Sequence, residues 1–266
     1  MAVHQKSELR NFLTDLCKDV AVFIREELDK VSASDIEEKE LNSLVSYVDK
    51  QAEQMIVTAL RKVTPEAGFI TEEDTKDDSS QALTWIVDPL DGTTNYLRKI
   101  PHFSISIALM EEETITLGIV YEVMLDIAYT AIKGHGAWAN NKPIKVSSVT
   151  NMSDALVVTG FPYRKDSKME VSFDILRYCV MNCRGIRRLG SAALDLAYVA
   201  CGKLDIYYEN SLNIWDIAAG ILLVEEAGGK VSDYNGKQDF LSRGSIISSN
   251  SSLHEDIRTA IVEISQ

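Results

Sequence analysis

The N-terminal part of the chain carries apolar side chains at the three- and four-residue spacing of amphipathic helices. One such run covers residues 7–30, and a second begins near Val48 and ends before Pro65. Each run places its apolar positions on one face, which predicts two helices that pack against a core. These positions are Leu9, Phe12, Leu13, Leu16, Val20, Phe23 and Ile24 in the first run, and Val48, Ala52, Met55, Ile56, Ala59 and Leu60 in the second. The charged segments 32–40 and 71–80 are expected to be irregular.

The hydrophobic period changes in the middle of the chain. Trp85-Ile86-Val87 is a short apolar run that ends at Asp88, and residues 103–109 alternate between large apolar and smaller side chains. Strict alternation is typical of strands, and residues 115–123 and 127–132 predict two more.

Helical and strand patterns are mixed again after residue 150. Strands are predicted at 156–158 and 204–208, with two further short strands before the C-terminus. Helices are predicted at 167–183, 191–200, 215–227 and 253–264. The inward face of the helix at 167–183 is expected to consist of Met169, Phe173, Leu176 and Val180. Since both halves mix helices and strands, the fold is expected to be α+β or mixed α/β, with layers of both.

The composition is that of an acidic globular protein. The chain has 266 residues, of which 45% are hydrophobic, and a formal net charge of −13. This charge argues against nucleic-acid binding and against docking on anionic membranes, because no basic stripe would neutralise phosphates. No stretch has the length and apolarity of a membrane helix, and the N-terminus lacks a signal-peptide pattern. We therefore expect a cytoplasmic protein without a membrane partner.

Four cysteines are too few for a disulfide scaffold in a chain of this length. Cys17, Cys179, Cys183 and Cys201 all lie in helical patterns, and no second pair or histidine completes a zinc set. We interpret them as buried free thiols in a reducing compartment.

The densest chemical signal is the run Asp88-Pro89-Leu90-Asp91-Gly92-Thr93-Thr94-Asn95. Asp88 lies at the end of an apolar strand, and Pro89 turns the backbone away from the strand direction. Asp91 follows three residues after Asp88, so the two carboxylates repel each other unless a cation lies between them. Gly92 permits close approach of a ligand, and Thr93 can begin a helix whose free N–H groups favour an anion. The loop therefore predicts hard oxygen ligands for Mg²⁺ beside a phosphate site, although a turn capped by aspartate would explain part of the pattern.

Two further acidic sites lie upstream and downstream of this run. The segment Ile70-Thr71-Glu72-Glu73-Asp74 precedes the apolar strand, and Asn213-Ile214-Trp215-Asp216 opens a predicted helix. Taken alone, the first is an ordinary solvated loop and the second an ordinary helix cap.

Other catalytic classes find no support in the sequence. It contains no nucleophile elbow, no P-loop and no dinucleotide fingerprint, and no cysteine has a neighbouring histidine. The four histidines, at positions 4, 102, 135 and 254, are interpreted as surface or structural residues.

These motifs together resemble the inositol monophosphatase family of Mg²⁺-dependent, lithium-sensitive phosphomonoesterases, and they are closer to its bacterial members. The similarity covers residues from about 40 to 260. It rests on WIVDPLDGTTNY, the upstream ITEED and the downstream WDIAAGILLVEEAGG, with further support from residues 134–144 and 190–202.

The resemblance implies a set of site residues. Glu72, Asp88 and the main-chain carbonyl of Leu90 would hold one Mg²⁺, and Asp88, Asp91 and Asp216 a second, with Glu72 helping to bind a third. Gly92 and Thr93 would receive phosphate through their N–H groups, and Thr93, supported by Asp49, would orient or deprotonate the attacking water. Glu209 would meet substrate hydroxyls, with Ala192 nearby. Two Mg²⁺ ions can clamp the attacking and the leaving oxygen, so no histidine base is required.

The resemblance also implies a layered α-β-α-β-α sandwich. Residues 1–147 would form an α+β half with most metal ligands, and residues 148–266 an α/β half with Asp216 and substrate contacts. The site would lie between the halves of one compact catalytic unit, and a homodimer is expected.

The implied activity is hydrolysis of a small phosphate monoester, with inositol 1-phosphate as the leading substrate. Position 213, typically histidine in animal members, is Asn here, which leaves fructose 1,6-bisphosphate, 3′-phosphoadenosine 5′-phosphate and histidinol phosphate as alternatives. Arg164, Lys165, Arg187 and Arg188 could recognise a second anionic group or simply form a solvated basic edge. A regulatory protein that binds the transcription machinery is an alternative of a different class.

Overall fold

The structure is a computed structural model that describes residues 1–31, 36–40, 43–73, 81–161, 167–237 and 245–265. Residues 74–80 of the predicted acidic loop lie outside these ranges, as do Asp35, Pro162, Arg164 and Lys165. The helices are α1 (Val3–Glu27), α2 (Tyr47–Val63), α3 (Thr93–Leu97), α4 (Ser167–Asn182), α5 (Ala192–Ala200), α6 (Ile214–Glu226) and α7 (His254–Ile264). The strands are β1 (Ile36–Glu40), β2 (Ser43–Ser46), β3 (Gly68–Thr71), β4 (Leu83–Asp91), β5 (Ser104–Glu111), β6 (Thr114–Glu122), β7 (Ile127–Ile132), β8 (Gly136–Ala139), β9 (Lys142–Pro143), β10 (Leu156–Thr159), β11 (Gly185–Arg187), β12 (Ile206–Asn210), β13 (Gly229–Ser232) and β14 (Ser245–Asn250).

The larger sheet has seven strands in the order β3-β4-β5-β6-β7-β8-β9. Its strands pair antiparallel from β4 onward, whereas β3 and β4 pair in parallel. Helices α1 and α2 pack on one face, where Leu13, Val20, Ile56, Trp85 and Ile107 belong to one buried cluster. The two predicted N-terminal helices therefore bury the faces that their spacing indicated.

The smaller sheet has five strands in the order β11-β10-β12-β14-β13. Helices α5 and α6 lie between the two sheets, in a cluster that includes Val120 of β6, Leu194 of α5, Leu222 of α6 and Tyr207 of β12. Helices α4 and α7 cover the opposite face in a third cluster. Layers of helix and sheet therefore alternate, and the expected α-β-α-β-α sandwich is confirmed.

Two expectations from the sequence are wrong at the level of elements. Residues 36–40, expected to be irregular, form β1 and pair antiparallel with β2. The inward face of α4 consists of Ile175 and Cys179, whereas the Phe173 and Val180 side chains are 48% and 62% exposed. Two positions along a helix rotate a side chain by about 200°, so Phe173 lies opposite Ile175.

The four cysteines are free, as expected, but only two are buried. Cys17 and Cys179 are buried, whereas Cys183 and Cys201 are partly exposed. No helix in the described ranges has the length and apolarity to span a membrane.

Candidate active site

The first two acidic residues of the site are brought together by an irregularity in β4. Asp88 pairs with Ser106 of β5 and Asp91 pairs with Ser104, so β4 contains one more residue than its partner strand between these pairs. Residues three apart on a regular strand would point to opposite faces, and one extra residue returns the second side chain to the first face. Asp88 is buried, and its Oδ1 accepts a hydrogen bond from the Leu90 N–H at 3.0 Å.

Asp91 connects this strand to the N-terminus of α5. Its Oδ2 accepts hydrogen bonds from the Ser191 hydroxyl at 2.6 Å and from the Ala193 N–H at 2.8 Å. The positive end of the helix favours a carboxylate there. Burial nevertheless raises the pKa of Asp91 to about 6 against these hydrogen bonds. The contact joins residues from the two halves of the chain.

Asp216 enters the site from the first turn of α6. Its Oδ2 accepts a hydrogen bond from the Asn213 N–H at 2.6 Å, within a capping box. Burial raises its pKa well above the ordinary value, and repulsion from Asp91 and Glu72 adds to that shift. Since α6 lies between the two sheets, its N-terminus brings Asp216 close to the end of β4.

Glu72 follows β3, the parallel neighbour of β4. Thr71 is in register with Val87, so Glu72 comes next to Asp88 at the same sheet edge. The pKa of Asp88 is raised well above its ordinary value, first by burial and then by the negative charges of Glu72, Asp91 and Asp216. The structure therefore brings the four predicted carboxylates into electrostatic contact.

This donor set fits a divalent cation by its chemistry. Carboxylate oxygens are the ligands that Mg²⁺ prefers, and a cation would counter the repulsion that adds to the raised pKa values of Asp88 and Asp216. In the described part of the chain, no three His, Cys, Asp or Glu side chains are close enough together to hold one ion as they stand. Asp88, Asp91 and Asp216 each direct one oxygen to a backbone N–H, which fixes their positions around the cleft.

Thr93 and Asp49 form a pair next to these carboxylates. The Thr93 hydroxyl lies 3.0 Å from Asp49 Oδ1 and 3.0 Å from the Leu90 carbonyl oxygen, and it can donate to either. The other Asp49 oxygen accepts from the N–H and the hydroxyl of Ser46, at 2.9 and 2.7 Å. The buried Asp49 therefore has a fixed orientation at the start of α2.

Gly92 makes the turn between β4 and α3. Its φ is +95°, and a Cβ there would lie 3.1 Å from the His102 carbonyl oxygen and 3.2 Å from that of Gly190. A side chain is therefore disfavoured both by the strained backbone conformation and by the tight space. The first N–H groups of a helix have no acceptor within the helix, so this turn offers donors beside the carboxylates.

Glu209 and Ala192 lie on the side of the site formed by the second half. Glu209 accepts a hydrogen bond from the Tyr207 hydroxyl at 2.8 Å, and burial raises its pKa to about 7. Gly160 packs so closely against this carboxylate that a Cβ there would lie 2.1 Å from it. Ala192 begins α5, next to Ser191 and Ala193, which bind Asp91.

The two described arginines of the predicted basic edge differ in their surroundings. Arg188 is exposed, yet its charge partly offsets the raised pKa values of Asp91 and Glu209. Arg187 is exposed and donates to the carbonyl of Ile186. Arg188 is therefore the one with an electrostatic connection to the site.

Sequence reasoning missed two residues of this region. Ser191 binds Asp91 and caps α5, and a serine directly before a helical pattern is a signal that could have identified it. Asp195 is a buried acid of α5 whose Oδ1 has no hydrogen-bond partner in the described residues, and its pKa is raised by burial and by Glu209. No sequence signal distinguishes Asp195 from an ordinary helix residue.

Comparisons with known proteins agree over nearly the whole chain. Residues 5–266 match the model of the inositol monophosphatase family. An inositol-1-monophosphatase from Mesorhizobium japonicum is 38% identical over 257 residues, which cover 96% of this chain and 97% of that protein. The Nus factor SuhB of Escherichia coli strain K12 is 40% identical over 223 residues, covering 84% and 82% of the two chains. The solved structure of the Thermotoga maritima IMPase superposes with a TM-score of 0.88 at 31% identity, covering 96% of this chain and 97% of that one.

Proposed function

The chain belongs to the inositol monophosphatase family, and on that premise we propose that it is a Mg²⁺-dependent phosphatase whose substrate is inositol 1-phosphate. The observation that carries this proposal is the convergence of Glu72, Asp88, Asp91 and Asp216 beside the turn at Gly92. Asp88 is buried and the other three carboxylates are partly buried, so their mutual repulsion is costly without a cation.

The proposed metal ligands follow from this cluster. Glu72, Asp88 and the Leu90 carbonyl would hold one Mg²⁺, and Asp88, Asp91 and Asp216 a second. Glu72 would also help to bind a third ion. When bound, Mg²⁺ supplies positive charge to the phosphate oxygens and lowers the pKa of water.

The protein itself would bind the phosphate and orient the attacking water. The N–H groups of Gly92 and Thr93 would donate to the phosphate oxygens at the start of α3. Asp49 accepts a hydrogen bond from the Thr93 hydroxyl, so the lone pairs of the Thr93 oxygen would be free to accept a hydrogen bond from water. Thr93 would thereby hold the water in line with the phosphorus, and hydrolysis would proceed without a phospho-enzyme.

The alcohol part of the substrate would contact the second half of the chain. The Glu209 carboxylate is held by Tyr207 and Gly160, and can accept hydrogen bonds from polyol hydroxyls. Ala192, the first residue of α5, would contact the same part of the substrate. A cyclic polyol phosphate with neighbouring hydroxyls fits this environment better than a substrate that lacks them.

Phosphate release from a panel of monoesters tests the proposed function. The panel contains inositol 1-phosphate, fructose 1,6-bisphosphate, 3′-phosphoadenosine 5′-phosphate and histidinol phosphate, each measured with Mg²⁺, with chelator and with added Li⁺. We expect preferential release from inositol 1-phosphate that disappears with chelator and decreases with Li⁺. Preference for another compound would change the substrate, whereas no Mg²⁺-dependent release from any of them would contradict the proposal.

A regulatory role is a second candidate, favoured by the 40% identity to a protein named Nus factor SuhB. Binding to a transcription complex would not require the carboxylates of the site, so Asp88→Asn should reduce hydrolysis to less than about a tenth and leave that binding intact. Recovery of transcription proteins with both the wild type and this variant, at native expression, would support the role. We further expect a cytoplasmic homodimer, which light scattering would test for its subunit number.

A further inference from the structure

Helix α2 carries a second buried carboxylate one turn after Asp49. Glu53 is 2% exposed, and its Oε2 accepts a hydrogen bond from the Glu73 N–H at 2.7 Å. Residues four apart lie on the same helix face, so Asp49 and Glu53 both point toward the site described above. Asp49 contacts Thr93, whereas Glu53 contacts the turn that follows β3.

The packing of α2 does not explain why position 53 is a glutamate. The neighbouring buried positions of α2, Ala52, Ile56 and Val57, belong to an apolar cluster. Burying a carboxylate costs free energy, and an apolar residue of similar size is often as stable or more stable there. The charge of Glu53 is also of the same sign as the carboxylates in the cleft, so it does not serve to neutralise them.

The contact explains how the turn after β3 is held. Glu72 and Asp88 repel each other, and this repulsion would move Glu72 out of the cleft if its backbone were free to follow. The Glu73 N–H is the next backbone donor along the chain, and a charge-assisted hydrogen bond to a rigid helix restrains it. Glu53 therefore acts on the backbone that presents Glu72.

We propose that Glu53 is a positioning residue that fixes Glu72 for cation binding through the Glu73 N–H. Helix α2 would then position two residues of the site. Asp49 contacts Thr93 directly, and Glu53 acts on Glu72 through the backbone of Glu73. The inference rests on the proposed function, because it assumes that Glu72 binds a divalent cation.

The affinity for Mn²⁺ tests the positioning role of Glu53 without relying on turnover. It is measured from the concentration of free Mn²⁺ by electron paramagnetic resonance. Glu53→Met removes the acceptor and keeps an unbranched side chain of similar length, so the helix should remain packed. Glu53→Gln keeps an oxygen that can accept the Glu73 N–H. We expect Glu53→Met to weaken Mn²⁺ binding by about tenfold, as the loss of a residue that orients a ligand does, and Glu53→Gln to stay within about twofold of the wild type.

Asp205→Ala is the matched control. Asp205 is also buried, and its Oδ2 accepts the Leu156 N–H at 2.6 Å, so this variant loses a comparable contact in the other sheet. It should lower the melting temperature and leave Mn²⁺ affinity unchanged. A similar affinity loss in Asp205→Ala and Glu53→Met would assign the effect to general destabilisation and overturn the inference.

The remaining outcomes separate the inference from the proposed function. Unchanged Mn²⁺ affinity in Glu53→Met, with normal binding by the wild type, would overturn the inference alone. Equal losses in Glu53→Met and Glu53→Gln would also overturn it, since the glutamine retains the acceptor. Absence of Mn²⁺ binding by the wild type would overturn the proposed metal site, and the inference with it.

Discussion

At the scale of single residues, Asp88 is a position where a residue needed for metal binding lowers the stability of the fold. Its carboxylate is buried and faces the charges of Glu72, Asp91 and Asp216, and all of these raise its pKa. Placing these four carboxylates together does not stabilise the folded chain. Mutual repulsion of the charged carboxylates is a cost that proton uptake relieves, as the raised pKa of Asp88 shows, or that a bound cation offsets.

Asp88→Asn should therefore change activity and stability in opposite directions. We expect less than about a tenth of wild-type turnover, because the shared metal ligand loses its charge. In chelator, the variant should be more stable by about 1–2 kcal/mol, or roughly 2–6 °C in melting temperature, because one repelling charge is removed. Steady-state kinetics and thermal unfolding measure the two effects.

Asp205→Asn provides the comparison for this prediction. It neutralises a buried carboxylate outside the cluster, whose oxygens accept hydrogen bonds from Ser147 and Leu156. Its melting temperature in chelator should not rise. If Asp88→Asn kept more than about a tenth of the turnover or melted below the wild type in chelator, the interpretation of Asp88 would be wrong.

At the scale of elements, His254 links β13, β14 and α7. It is the first residue of α7, it is buried, and its Nε2 and Nδ1 each lie 2.9 Å from a serine hydroxyl, those of Ser232 and Ser249. Burial, with a smaller contribution from Lys230, lowers its pKa to about 4. The neutral ring therefore belongs to the folded state.

This histidine predicts how stability depends on pH. An unfolded histidine has a pKa of about 6.5, so the unfolded chain binds the proton first as the pH falls. The contribution of the neutral His254 ring to the stability of the folded state is complete above about pH 6.5 and is lost as the pH falls toward 4. Between pH 7 and 4.5, the free energy of unfolding of the wild type, measured in urea, should fall by about 2 kcal/mol more than that of His254→Gln, which cannot bind this proton. Equal losses in both proteins would show that His254 does not titrate with folding.

The elements also show what the sequence could predict. The one-sided apolar spacing of α1 and α2 matched their buried faces, because each packs one face on one sheet. Helix α4 has apolar residues all around, so spacing could not choose between Phe173 and Ile175 as the inward position. The strand β1 was missed because its charged residues lack an apolar alternation, and its partner β2 provides the pairing.

In the site as well, the sequence predicts local features but not the contacts between distant segments. The acidic run at Asp88 predicts a turn with closely spaced carboxylates, but not the extra residue in β4 that turns Asp91 to the same face. Glu53 and Ser191 act through contacts between segments distant in sequence. Such contacts follow from the packing of the layers, which no local pattern contains.

At the scale of the whole molecule, the site depends on how the two halves pack. Asp91 from the first half binds Ser191 and Ala193 from the second, and Asp216 comes from a helix between the sheets. Gly118 of β6 allows helix α6 to pack closely on the larger sheet, since a Cβ there would lie 3.1 Å from backbone atoms of Ala219. The division into 1–147 and 148–266 stays a prediction, because the cluster between the sheets takes buried side chains from both parts.

Glu72, Asp88, Asp91, Asp216 and the turn beside them are expected to bind divalent cations and phosphate together. Crystals grown with Mn²⁺ and inorganic phosphate would locate both ligands, the manganese through its anomalous difference density. We expect manganese peaks among Glu72, Asp88, Asp91 and Asp216, with phosphate against the N–H groups of Gly92 and Thr93. Manganese bound elsewhere, or phosphate away from this turn, would contradict it.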